Sequence, residues 1–368
     1  MIPFHDLRPI HEALAAELRE AIERVLTSGW YILGPEVEAL ESELAAWIGV
    51  PHAVAVANGT DAIELILRAA EIGPGDEVIT VSHTAVATVC AIERAGARPI
   101  LVDVDHRTMT MSPAAAAAAV TPRTRAILAV HLYGHPADMR RLGELAQKHA
   151  LLLIEDAAQA LGGRLAERPV GTLGHAAAIS FYPTKTVAAL GDAGAVVCSE
   201  PQLAQRVRRL RSYGQASRDM ALQRGINSRM DELQAAALRV KLIHAEEHLR
   251  ARRALAARYE HALRGKLTLP SEADDVLHAY HLYVVRHARR DGLKARLSRG
   301  GVGTLVHYPV PVHRQPAYFD LGYAEGSLPE TERAAAEVLS LPLYVGLEDG
   351  QAEHVAATLG EALAEGIT

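Results

Sequence analysis

Leu151-Leu152-Leu153-Ile154-Glu155-Asp156-Ala157-Ala158-Gln159 runs from four aliphatic residues straight into two acids. A short apolar run closed by carboxylates reads as a buried strand with a polar C-terminal end. In open α/β sheets, ligands gather at the carboxyl ends of parallel strands. An acid at position 156 can there meet a cationic ligand atom, a metal or a ribose. Gln159 reaches the same place if a helical turn follows. A loop carboxylate that merely caps a helix has the same local pattern.

Outward from that run, the chain alternates from about residue 50 between two kinds of segment. Ala53–Ala57, Glu77–Val81, Arg98–Val102, Ala126–Val130, Leu151–Glu155, Ala177–Phe181 and Ala195–Cys198 read as strands. Asp61–Ala70, Val86–Ala95, Pro113–Val120 and Met139–His149 read as amphipathic helices. This alternation predicts an α/β fold with a mainly parallel sheet covered on both faces. The strands after Glu155 lack long helices between them, so part of the later sheet is expected to be antiparallel. Residues 228 to 264 read as one long charged helix, with His281–Arg286 a strand and Asp291–Arg299 and Thr331–Leu339 helices. The expected division is a large domain over 1–250, N-terminal segment included, and a smaller α+β domain over 251–368.

The length, 368 residues, suits one large and one small domain. With 49% hydrophobic and 22% charged residues the chain can bury a core, and with 4% aromatics Ala, Leu and Val must fill it. A net charge of −6 argues against a dedicated nucleic-acid surface. Cys90 and Cys198 lie far apart, which speaks against a disulfide framework or a metal site and fits a reducing compartment. No basic-then-apolar leader opens the chain, and no apolar run is long enough to span a bilayer. The expectation is a cytoplasmic protein without a membrane partner.

Two further segments carry chemistry. Asn58-Gly59-Thr60-Asp61 stands between a strand and a helix, where free N–H groups and partial positive charge suit a phosphate. An ordinary helix N-cap reads the same way. Ser180-Phe181-Tyr182-Pro183-Thr184-Lys185-Thr186 ends a strand at a proline and places a lysine in the loop, with Gly191-Asp192-Ala193-Gly194 returning to the next strand. Most lysines are solvated surface charges. One kept neutral after a strand can instead form a Schiff base with a carbonyl cofactor. The three segments together ask for a phosphate, a basic ring nitrogen and an aldehyde, and pyridoxal 5′-phosphate has all three.

With those residues in place, the chain resembles the DegT/StrS family of pyridoxal-phosphate-dependent nucleotide-sugar aminotransferases. The likeness runs from Pro3-Phe4-His5-Asp6-Leu7 to Leu341-Pro342-Leu343-Tyr344. Its most telling marks are Ser180–Lys185 with Gly191-Asp192, Glu155–Gln159 and Asn227-Ser228-Arg229-Met230-Asp231-Glu232. His131-Leu132-Tyr133-Gly134 and His307-Tyr308-Pro309 support it. The resemblance implies the aspartate-aminotransferase fold (fold type I) and a homodimer with shared active sites. It implies Lys185 as the Schiff-base lysine, Asp156 as partner of the pyridine nitrogen, and Gln159 near the phenolic oxygen. Gly59, Thr60 and Ser180 match phosphate contacts, and Asn227 matches one donated across the dimer. Without the family, Asn227 reads as a helix N-cap.

Two departures stand out. Many relatives place an aromatic residue over the ring after Ser-His-Thr, whereas Ser82-His83-Thr84 is followed here by Ala85. His83 is therefore a candidate ring cover. Thr186-Val187-Ala188-Ala189 replaces a common Asn-Leu-Gly stretch. The resemblance implies ping-pong transfer from L-glutamate to a nucleotide-linked keto-sugar, best a dTDP-3-keto-6-deoxyhexose, with Lys185 and Asp156 as catalytic residues. His307, Tyr308, His313 and Arg314 are candidate acceptor contacts, against plain loop polarity. Competing readings are a 4-keto-sugar or cyclitol aminotransferase, and a cofactor-binding regulator without turnover. A nicotinamide oxidoreductase ranks low, because Asn58-Gly59-Thr60 is not a G-x-G-x-x-G turn.

Overall fold

The computed structural model describes residues 1–364, so the last four residues of the expected 251–368 unit lie outside the described residues. Seven strands form the central sheet. Their spatial order is His52–Val56, Gly194–Cys198, Ala176–Ser180, Leu152–Asp156, Thr124–Val130, Glu77–Val81 and Arg98–Val102. The pairs from Ala176–Ser180 to Arg98–Val102 are parallel. Gly194–Cys198 runs antiparallel to both of its neighbours. The fold is α/β, as the alternation predicts, and the antiparallel part lies in the later strands as expected.

The strands inside the sheet are buried on both faces, and alternate residues enter different cores. Val54, Val78, Leu128, Ile154, Ala178 and Val196 pack with Leu65, Ile66, Ile92 and Val207 of the helices Gly59–Ala69, Val86–Arg94 and Pro201–Leu210. On the other face, Ala55, Ala177, Ile179 and Val197 pack with Leu40, Leu44 and Leu238. Small side chains dominate the centre: Ala176, Ala177 and Ala178 are all within the interior. The parallel strands therefore end together along one edge, and the loops that leave them meet there.

Residues before 50, which the alternation leaves without elements, form three helices, Arg8–Ala13, Ala15–Ser28 and Pro35–Ile48. Gly29 and Gly49 close the second and third in the left-handed conformation, and Pro35 opens the third. The Glu232 carboxylate seals that third helix: it accepts the N–H groups of Gly34, Glu36 and Val37 at 2.8, 2.8 and 2.9 Å. Ser228 Oγ accepts Ala57 N–H at 3.1 Å. Two residues of the Asn227–Glu232 segment thus tie distant chain together.

Two readings need correction. The long helix over 228–264 is two helices, Glu232–Ile243 and Ala245–Leu263, broken at His244. The first packs beneath Ala15–Ser28 and Pro35–Ile48, the second against Asp349–Ala364, so one straight rod cannot satisfy both. Helix Thr331–Leu339 is Pro329–Glu337, followed by a strand Val338–Leu341 paired antiparallel with Tyr283–Arg286. This pair, Tyr259, Leu297 and Leu359 form a separate cluster, which Ile2 joins through a bridge to Val302. No helix among the described residues is long and apolar enough to cross a membrane.

Candidate active site

A cavity of about 220 Å³ opens at the carboxyl edge of the sheet. Asp156, Gln159, Ser180, Lys185, Gly59 and Thr60 all line it, brought from three separate strand ends. Of the candidates above, these six converge. A larger cavity of about 710 Å³ beside Leu151–Leu153 and His175 lies at the opening of that strand, away from this chemistry.

The period of two in a strand sends Glu155 and Asp156 to opposite faces. Glu155 is structural: its carboxylate accepts the N–H groups of Gly171, Leu173 and Gly174 and pairs with His131. Asp156 faces the cavity. Its Oδ2 accepts from Thr88 Oγ1 at 2.8 Å, and Oδ1 accepts Ala158 N–H at 3.2 Å. Thr88 is in turn bonded to Thr84 at 2.9 Å. Gln159 is held at both ends of its amide: Oε1 accepts Tyr133 N–H at 2.7 Å, and Nε2 donates to Tyr308 Oη at 3.1 Å.

Lys185 sits in a turn closed by its own N–H on Tyr182 carbonyl at 2.8 Å. Burial pushes its ammonium down to about 8, and the Asp156 charge opposes that shift. An amine so placed is partly deprotonated near neutral pH and able to attack a carbonyl.

Helix Gly59–Ala69 points its N-terminus into the same cavity. Asn58 caps it, its Oδ1 accepting Asp61 N–H at 2.8 Å, while Ala62 N–H makes the first intrahelical bond. The Gly59 and Thr60 N–H groups precede that bond and suit an anion. Gly59 is required by crowding, since a Cβ there would lie 2.8 Å from Ser180 Cβ. Phosphate cradle, carboxylate and buried amine together fit a phosphorylated pyridine aldehyde.

The remaining candidates are placed differently. His83 does not face the cavity: it is fully buried, with Nε2 2.7 Å from Tyr133 Oη, while Thr84 and Ala85 form the wall instead. Burial pushes its imidazole down to about 4. His313 is buried between Ser82 Oγ (2.7 Å) and Glu332 (3.2 Å), and Arg314 pairs with Glu325. Both ring nitrogens of His313 are spent within the fold. Asn227 lies outside the cavity lining and accepts from Arg229 Nε at 3.0 Å. His307 holds Ser340 Oγ at 2.8 Å, its carbonyl accepting from Tyr133 Oη. Burial and then the Lys185 charge push its ring down to about 4. Burial pushes the Tyr308 phenol up to about 12, opposed by its bond with Gln159.

Thr88 and Tyr182 line the cavity, and Tyr133 reaches it through Gln159. Tyr133 and Tyr182 stand inside the motifs quoted above without being singled out, and Thr88 stands outside them. Thr88 is one turn beyond Thr84 on a strand-following helix, which is the one local hint.

The DegT/DnrJ/EryC1/StrS aminotransferase family model matches residues 12–360. The chain is 49% identical to the dTDP-3-amino-3,4,6-trideoxy-alpha-D-glucose transaminase of Streptomyces venezuelae, over 96% of this chain and 94% of the relative. It is also 49% identical to the erythromycin biosynthesis sensory transduction protein EryC1 of Saccharopolyspora erythraea, over 97% and 98%. The crystal structure of S. venezuelae DesV superposes with a TM-score of 0.97, at 48% identity over 98% of each chain. Aminotransferases of this family use pyridoxal 5′-phosphate. A match of this extent, on a cavity that already pairs a buried lysine with an acid, makes the chain a pyridoxal-phosphate-dependent sugar aminotransferase belonging to the DegT/DnrJ/EryC1/StrS aminotransferase family.

Proposed function

We propose that this chain moves the amino group of L-glutamate onto a nucleotide-linked keto-sugar, with a dTDP-linked 3-keto-6-deoxyhexose as acceptor. The observation that carries the reading is the meeting of Lys185, Asp156 and the Gly59–Thr60–Ser180 cradle in one cavity. The transaminase relative, named for a dTDP-3-amino sugar, supports the choice of acceptor.

When bound, the cofactor supplies a carbonyl for the amine and an electron sink for the carbanion. The protein does the rest. The Gly59 and Thr60 N–H groups and the Ser180 hydroxyl hold the phosphate. Asp156, fixed by Thr88, keeps the proton on the ring nitrogen. Lys185 anchors the cofactor and, once freed, carries the proton at the substrate carbon as base and then acid. Gln159 orients the phenolic side. His307 and Tyr308 are the acceptor contacts that remain in reach; His313 and Arg314 are left out for the reasons above.

A homodimer completes the site in this reading. Trp30, Tyr31, Tyr213, Met220 and Leu222 are large apolar side chains left exposed, and Tyr182, which lines the cavity, is half exposed. Asn227 then reaches the phosphate of the second copy. The chain works in the cytoplasm, where nucleotide sugars are made and used. The name of the second relative keeps a regulatory role as the alternative.

The test is direct. The enzyme loaded with cofactor is mixed with L-glutamate, then challenged with dTDP-3-keto, 4-keto and cyclitol acceptors. Loss of the cofactor's visible band on glutamate and its return on one acceptor class identifies that class. A loaded protein whose band ignores glutamate is a binder without turnover.

A further inference from the structure

Transamination sets a recognition problem: a dicarboxylic amino acid and a neutral sugar ring must both reach one reactive centre. A second cavity shares Lys185 with the first. It is small, about 30 Å³, and His5, Asp6, Lys241, His248 and Arg252 line it. Among the described residues, Asp6 is the one carboxylate on its wall. That carboxylate is taken by Arg8, with contacts of 2.9, 3.0 and 2.6 Å.

Among the described residues, Lys241 and Arg252 have no carboxylate paired with them. Lys241 and Arg252 are each only 3% exposed. Lys241 Nζ meets His11 Nε2 at 3.1 Å, an imidazole and not a carboxylate. Arg252 spends Nε and Nη2 on the carbonyls of Tyr280 and His281, at 3.0 and 2.8 Å. Beside it, His281 is buried with Nδ1 unpartnered, within the field of both Lys185 and Arg252. Burying cations without a counter-ion is costly, and the arrangement is complete only with an anion present.

The size of the cavity selects the anion. So narrow a space has room for a small group such as a carboxylate and not for a sugar ring or a nucleotide. A keto-sugar is uncharged at its reacting carbon, so cations against the lysine do nothing for it. We propose that this cavity seats the side-chain carboxylate of the amino donor, with Lys241 and Arg252 as its specificity-determining cations. The proposal rests on the transamination reading above.

The test uses the cofactor-loaded enzyme. Wild type is titrated calorimetrically with glutarate and with butyrate, and its donor half-reaction is followed with L-glutamate and L-alanine. Glutarate is expected to bind at least about tenfold more tightly than butyrate. In Lys241→Met the L-glutamate KM is expected to rise about tenfold or more, with kcat nearly retained and the preference over L-alanine lost; Lys241→Arg restores the preference. Equal binding of glutarate and butyrate to wild type overturns the proposal, whatever the variant does. So does a folded Lys241→Met enzyme that keeps its L-glutamate KM, or one that loses L-glutamate and L-alanine equally; either result leaves the transaminase reading standing. A wild-type enzyme unreactive toward every amino donor overturns both.

Discussion

Thr88 Oγ1 donates to Asp156 Oδ2 at 2.8 Å, and this bond links the helix after one strand to the acid at the end of another. The two residues are 68 positions apart. The bond aims a carboxylate that has few other partners, so it sets where a ring nitrogen must sit. Thr88→Val is expected to lower kcat about 10- to 100-fold, the range of one hydrogen bond to a charged group. Thr88→Ser should recover most of it. Steady-state kinetics on the three proteins checks this, and equal kcat values would remove Thr88 from the account.

Asp156→Ala takes away the charge itself. Cofactor binding should survive in part, because the phosphate cradle and Lys185 remain. The proton-shift step is expected to slow by several orders of magnitude. Stopped-flow absorbance with L-glutamate separates the two effects. A variant that turns over near the wild-type rate would show that the acid has another task.

Gly59 has no room for a side chain. A Cβ there meets Ser180 Cβ at 2.8 Å, so Gly59→Ala must push the helix start away from the strand end. Cofactor affinity is expected to fall at least about tenfold, with thermal stability of the apoprotein changed by only about 1 kcal/mol. Fluorescence titration with cofactor gives the first number and calorimetric melting the second.

The Lys185 amine titrates early. Its ammonium is pushed down to about 8, so the neutral amine appears as pH rises through about 8 and is lost below it. Covalent capture of cofactor by the apoprotein should therefore accelerate with pH and level off above about 8 to 9. A rate still climbing steeply to pH 10 and beyond would mean an ordinary solvated lysine.

Glu232 guards the fold and not the chemistry. It is buried and accepts three backbone N–H groups at the start of Pro35–Ile48. Glu232→Ala leaves those donors unpaired, and a loss of about 2–4 kcal/mol in unfolding free energy is expected. Denaturant melting measures it. A loss below about 0.5 kcal/mol would mean that water replaces the carboxylate without penalty.

The sheet and most of the site were legible because each rests on a local pattern. Leu151–Asp156 announces a strand end by its own residues, and Asn58–Asp61 and Ser180–Lys185 do the same. The helices before residue 50 also carried local marks, Gly29, Pro35 and Gly49, which the strand alternation overshadowed. What stayed hidden depends on distant partners. Val338–Leu341 extends because Tyr283–Arg286 lies beside it. His313 looked like a loop ligand, yet it is committed to Ser82, 231 positions away. The break at His244 has no glycine or proline to mark it, and packing alone sets it. His83 illustrates the same limit, since Tyr133 draws it under the wall instead of onto it.

Everything in the mechanism turns on which amine the cofactor joins. Borohydride reduction of the loaded protein, followed by peptide mass spectrometry, fixes that bond chemically. The expected result is one modified tryptic peptide, Leu165–Arg206, labelled at Lys185, with no label after Lys185→Ala. A label at another lysine, or undiminished labelling of the Lys185→Ala protein, would contradict the account.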